Sequence, residues 1–237
     1  MRPQGIAVYK SVADTLAEEI ASGRLEPGAR LPPEPELSAR FSVNRHTLRR
    51  AMSVLSDMGL VNVEHGRGTF VTHGTMNYPV RKEMSFTDTI SRNSLHPEAQ
   101  FLGSSFVSAK SQLAIDLEID EGTPCVMIEM LRSASGMPIS LTSHFFVQAR
   151  FPGLTELVQN NRSLSKSIRL SGVDGYFRKT TRISARISTS EEAKLLRQAP
   201  SKPVLVAETV SVDAAGRPIE HSVIRSASDR VQYIMDT

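Results

Sequence analysis

Four cationic side chains crowd into six positions of this chain: Arg45, His46, Arg49 and Arg50, within FSVNRHTLRRAM (41–52). Nothing acidic occurs from Leu37 through Ser56. A guanidinium offers a rigid fork of N–H donors that fits phosphate and the O6/N7 edge of guanine. On a helix Arg45 and Arg49 stand one turn apart and point the same way, while His46 and Arg50 lie further round, placed for phosphates. Thr47 is placed to cap the helix or touch a phosphate. A second basic cluster sits in KTTRISARIS (179–188). In a strand Arg182, Ser184 and Arg186 share one face, and two guanidiniums with a hydroxyl between them suit a small phosphonate or phosphate. A plain solvated strand face is the alternative. Paired acids at a useful spacing, a nucleophile beside a base, and a metal-ligand cluster are all missing, which argues against an enzyme and against a metal or other cofactor.

The elements around the first cluster give it meaning. Val8, Val12, Leu16 and Ile20 recur every four residues, one face of a helix. SGRLEPGARLPPEPE breaks that helix, and Pro32 and Pro33 open a short one over Glu34 to Phe41. Asn44 is an N-cap for a third helix that runs to about Met58 and stops at Gly59. Its stripe Leu48, Ala51, Met52 and Leu55 faces a core, with the arginines fanned across the opposite side. LVNVEHGRGTFVT then reads as strand, glycine turn, strand, and Gly66 and Gly68 let a wing tip carrying Arg67 approach DNA. Helix, tight helix pair and hairpin in about seventy residues describe a winged helix-turn-helix, whose second helix enters the major groove. In that setting the arginines are more than solubilising groups.

Residues 73–83 show no sustained periodicity and read as a linker, giving domains of 1–73 and 84–237 joined by 74–83. Past it the pattern turns to α+β. CVMIEMLRS, PISLTSHFFV, KTTRISARIS and PVLVAETVSVD are strand-like, SLSKSIRL and SEEAKLLRQ helix-like, the latter capped by Ser190-Glu191-Glu192. Gly136–Ile139 and Gly216–Ile219 mark hairpin turns. The whole chain bounds the rest. A formal net charge of +3 over 237 residues is too small to argue for nucleic acid. Up to Thr75 nine Lys+Arg face eight Asp+Glu, so any DNA argument rests on local placement. The single cysteine, Cys125, sits in an apolar run and excludes an intrachain disulfide. No signal-like start or membrane-length apolar run occurs, and a reducing cytoplasm is the natural setting.

ARLPPEPELSARFSVNRHTLRRAMSVLSDMGLVNVEHGRGTFV (29–71) resembles the DNA-binding domain of the GntR family of transcriptional regulators across its whole length. The resemblance implies DNA contacts by Arg45, Arg49 and Gly66. Where the family often has an arginine this chain has Pro35, so one usual base contact is absent or replaced. The rest resembles the UTRA effector domain of the HutC subfamily, whose fold is similar to chorismate lyase. NRHTLRRAM, YPV, SLHPEAQFL and TRISAR are similar to regulators of phosphonate-utilisation genes within it. By that resemblance Arg132 holds the anionic group of an effector, Thr87 after Phe86 and Ser163 supply hydroxyls, and Glu220 meets the organic part. Met130 and Ala227 stand where relatives carry arginines, and Thr142 where sugar-phosphate binders carry a glutamate. His144 is a candidate lining residue only. The expectation is a repressor, a homodimer on a pseudo-palindrome with recognition helices ~34 Å apart, released from double-stranded DNA by a small anionic effector and independent of membranes. A sugar phosphate or amino-acid-like effector is the alternative.

Overall fold

The computed structural model describes residues 8–64, 66–72, 75–81, 86, 90 and 96–235. The chain divides into two compact units, Met1–Met76 and Asn77–Thr237.

The first unit holds α1 (Val8–Ala21), α2 (Glu34–Phe41), α3 (Arg45–Asp57) and the hairpin β1 (Val61–Glu64) and β2 (Gly68–Val71). Val12, Ala13, Leu16, Leu37, Leu48, Ala51, Met52, Leu55, Val61 and Val71 form one core. Val8, expected on the buried stripe of α1, is instead 60% exposed, at the end of the helix beyond the core that takes Val12 and Leu16. Between α2 and α3 the chain turns through Ser42, left-handed at φ 52°. Asn44 then caps α3 by accepting the Thr47 N–H at 2.8 Å. Glu19 of α1, largely buried, pairs with Arg40 and ties α1 to α2. The wing is braced by residues 28–31, with Leu31 N–H donating to Thr69 O at 2.8 Å and Gly28 N–H to Val71 O at 2.9 Å. Gly68 sits at φ 119°, a backbone conformation that side chains disfavour, and a Cβ there would push the Arg30 side chain aside, 2.7 Å from its Nε.

The second unit is α+β, as expected. Six antiparallel strands lie in the order β4 (Pro97–Ser108), β5 (Pro124–Ala134), β6 (Met137–Val147), β9 (Pro218–Ala227), β8 (Pro203–Asp213), β7 (Tyr176–Ile187). Ser135 and Gly136, both at positive φ, turn β5 into β6. Side chains of register partners share a face. One face carries Val126, Ile128, Met130 and Phe146 against α5 (Leu154–Asn161) and α6 (Leu164–Leu170). The other is covered by α4 (Ser111–Leu117) and α7 (Ser190–Leu195), which contribute Ala114 and Leu117 beside buried Cys125, while Leu196, just past α7, packs on Val204 and Val206. The cap of α7 is one residue earlier than expected: Thr189, not Ser190, forms a capping box with Glu192.

Part of the expected linker is also structured. Met76–Pro79 forms β3, which pairs with β10 (Val231–Ile234). Met76 and Tyr78 point in and Asn77 out, an alternation too short to show as periodicity in the sequence. Among the described residues no helix is long and apolar enough to cross a membrane.

Candidate functional site

In the first unit the cap at Asn44 sets where α3 begins, and so puts Arg45, His46, Arg49 and Arg50 on its outer side, all exposed. Arg45 and His46 make no side-chain hydrogen bond, ion pair or ring contact among the described residues. Arg50 lies over the Tyr9 ring at 4.0 Å, so its guanidinium is braced by α1 as well as open to solvent. Arg49 departs from the sequence reading. The stretch is free of acids in sequence but not in space, because Glu34 at the start of α2 accepts from Arg49 Nε at 3.1 and 3.2 Å. Arg49's two terminal nitrogens keep no protein partner among the described residues, so the fork remains available. Gly66, at φ 75°, stands exposed at the wing tip, and Arg67 reaches over Phe70 at 5.7 Å.

In the second unit a cavity of about 590 Å³ opens on the sheet face under α6. It brings together five residues expected from sequence: Phe86, Arg132, His144, Ser163 and Glu220. They come from widely separated places, with Arg132 on β5, His144 on β6, Glu220 on β9 and Ser163 capping α6, where its Oγ accepts the Lys166 N–H at 3.4 Å. His144 binds this cluster together. Its Nδ1 lies 2.5 Å from Glu220 Oε1 and its Nε2 lies 3.2 Å from Arg132 Nη2. A carboxylate only accepts and a guanidinium only donates, so the ring proton sits on Nδ1 and Nε2 accepts. Burial pushes the His144 pKa below the usual histidine range despite the pull of Glu220, which leaves the ring neutral. Burial opposes ionisation of Glu220, but its bonds to His144 and Ser211, with Arg132 nearby, outweigh burial and lower its pKa.

Arg132 is therefore a fixed cation. Its guanidinium lies 4.7 Å from the Phe86 ring, and burial lowers its pKa without approaching neutrality, as arginine stays charged in proteins. Its Nε is buried with no hydrogen-bond partner. A buried cation whose side chain lines a cavity, with no carboxylate paired to it among the described residues, is what an anion would complete. Tyr176, also lining the cavity, has its hydroxyl pKa pushed up to about 12 by burial and donates to Ser165 Oγ at 3.1 Å.

The other expected residues do not join. Arg182, Ser184 and Arg186 lie on the opposite sheet face, and the pairing expected of them with an anion is not met. Arg182 is bound by Asp116 at 2.5 Å and Glu208 at 3.4 Å, Arg186 by Glu192 at 2.6 Å. The three do share one face, as alternation requires, but a register shift between Arg178 and Thr180 sets that face apart from the one Arg178 is on. That bulge flips the alternation of β7, so Arg178, opposite Ser211, faces the cavity while Thr180 and Arg182 face away. Thr142 is buried with its hydroxyl unpartnered, but it does not line the cavity. Thr87 lies outside the described residues. Sequence reasoning missed Arg178, Arg169, Tyr78 and Tyr176. The bulge leaves no mark that alternation alone detects.

A helix-turn-helix with an exposed basic face on its second helix, followed by an α+β unit with a cation-lined cavity, is the architecture of a DNA-binding transcriptional regulator. The chain matches "Bacterial regulatory proteins, gntR family" over residues 8–71 and "UTRA domain" over residues 92–232. It is 32% identical over its full length, and 97% of the relative's, to an uncharacterized HTH-type transcriptional regulator of Rhizobium meliloti (strain 1021). It is 30% identical to "Probable transcriptional regulator PhnF" of Escherichia coli (strain K12), over 96% of this chain and 94% of that one. The crystal structure of PhnF from Mycobacterium smegmatis superposes with a TM-score of 0.66 at 25% identity, covering 98% of this chain and 99% of that one. The chain belongs to the gntR family, in the branch that carries a UTRA domain. These families are regulators, not enzymes.

Proposed function

We propose that this chain is a HutC-type repressor of genes for phosphonate uptake or breakdown. As a homodimer it holds operator DNA through α3 and the wing. It lets go when a small molecule bearing a phosphonate or phosphate group fills the cavity. Arg45 and Arg49 read base edges, while His46, Thr47, Arg50 and the wing residues Gly66 and Arg67 meet the backbone. With Pro35 in the place of the family's frequent arginine, base readout falls chiefly on those two side chains. The observation that carries the effector assignment is Arg132, a buried cation held by neutral His144 and lining the cavity. The similarity to PhnF proteins supports the choice of phosphonate. A hundredfold loss of operator affinity on effector binding needs about 2.7 kcal/mol of coupling, an ordinary magnitude.

Isothermal titration of the full chain with methylphosphonate, inorganic phosphate and sulfate tests this. The expected result is binding of a phosphonate or phosphate in preference to sulfate, weakened roughly thirtyfold or more by Arg132→Gln, with operator binding retained. An Arg132→Gln variant that binds anions as the parent does would refute the assignment.

A further inference from the structure

β3 is where the chain passes from the first compact unit to the second, and one of its side chains lines the cavity. That side chain is Tyr78. Its ring is stacked edge-on against Tyr233 of β10 at 5.5 Å, and Tyr233 in turn meets Ser226 of the central sheet at 3.0 Å. Its hydroxyl accepts from Arg178 Nη2 at 3.1 Å. Arg178 Nη1 donates to the Arg81 carbonyl at 3.0 Å, just beyond the strand. One cavity-lining arginine thus holds this segment at two points through neutral acceptors.

Three features converge. The Tyr78 hydroxyl uses its oxygen to accept, and its own proton has no acceptor among the described residues. Arg178 and Arg132 both line the cavity, and Arg178 raises the cost of the charge on Arg132. The bulge in β7 is what turns Arg178 to this face. An anion between the two arginines relieves their repulsion and accepts the phenolic proton, a charge-assisted bond roughly twice as strong as a neutral one. We propose that Tyr78 and Arg178 are effector-binding residues, and that an anion in the cavity fastens β3 to the sheet through them. This rests on the reading that the cavity takes an anion. It gives occupancy a physical route to the segment that leads from the DNA-reading unit, through bonds to the ligand itself.

The test is hydrogen exchange of the full chain, read at the Val80 amide, whose bond to Ile234 O (2.8 Å) reports β3 pairing. The probes are methylphosphonate and inorganic phosphate. Three chains are compared: the parent, Tyr78→Phe, which keeps the ring stacking, and Arg178→Gln. Saturating probe is expected to slow Val80 exchange in the parent. Tyr78→Phe is expected to bind the probe about tenfold more weakly and to lose that slowing. Arg178→Gln is expected to speed Val80 exchange with no probe present. If the parent binds neither probe, the anion reading falls and this inference with it. If the parent binds but Val80 exchange is unmoved or faster, or if Tyr78→Phe binds undiminished, the anion reading stands and this inference is overturned.

Discussion

Replacing Glu34 with glutamine separates two consequences of an acid beside a DNA-reading arginine. Glu34 accepts from Arg49 Nε with both oxygens, at 3.1 and 3.2 Å, across a pair that is 67% and 42% exposed. An exposed ion pair contributes at most about 1 kcal/mol, so Glu34→Gln changes the melting temperature by no more than a few degrees. Its effects on DNA run in opposite directions. Removing a negative charge near phosphates raises affinity for any duplex. Releasing Arg49 from its brace costs base readout, because the fork must then be ordered on binding. A bidentate arginine–guanine pair is worth about 1–3 kcal/mol of discrimination. Losing about 1 kcal/mol of that lowers the operator-to-random affinity ratio about fivefold. Fluorescence anisotropy with an operator duplex and a scrambled duplex, at one fixed salt concentration, measures both terms. The expected outcome is tighter binding to scrambled DNA with a reduced ratio. Equal gains on both duplexes would show that Glu34 only repels phosphate and does not position Arg49.

Asn44→Ala removes the cap on α3 and should cost about 1 kcal/mol, read as a fall of a few degrees in melting temperature, with Asn44→Asp restoring most of it. Acid should destabilise the second unit in two stages. His144 and His221 have pKa values lowered chiefly by burial from the ordinary 6.5. The unfolded chain therefore takes up protons that the fold refuses, and stability falls as pH drops below about 6.5. Glu220, lowered from 4.5, contributes stability above that value that is lost as pH falls through its folded pKa. Urea denaturation between pH 8 and 4 checks this. His144→Gln and His221→Gln are each expected to flatten part of the first stage, and an unchanged profile in both would count against it.

What sequence shows and hides here follows from range. The cap at Asn44, the proline-opened α2 and the glycine turns of both hairpins are local devices, each readable within a few residues. The α3 stripe was readable for the same reason. Val8 failed because a helix's first turn need not be covered. Arg132, His144 and Glu220 meet across three strands that no local pattern aligns, and resemblance rather than periodicity brought Arg132 and Glu220 forward. His144 was visible only as a strand histidine, and its role appears once both ring nitrogens have partners. Alternation placed Arg182, Ser184 and Arg186 on one face correctly, but it does not say which face carries a cavity. A single bulge turns Arg178 to the other face, beside the cavity. Glu34 reaches Arg49 from fifteen residues away, across a turn, so an acid-free segment still has an acid beside it.

We propose that α3 reads operator DNA and that an anion in the second unit's cavity releases it. Anisotropy of the full chain on DNA from upstream of its own gene, titrated with methylphosphonate at fixed salt, tests it most directly. The expected result is binding to that DNA about a thousandfold or more tighter than to scrambled DNA, in the usual range for specific readers, and reversal by the phosphonate but not by sulfate. Binding that fails to distinguish the two duplexes, or that no phosphonate or phosphate reverses, would contradict it.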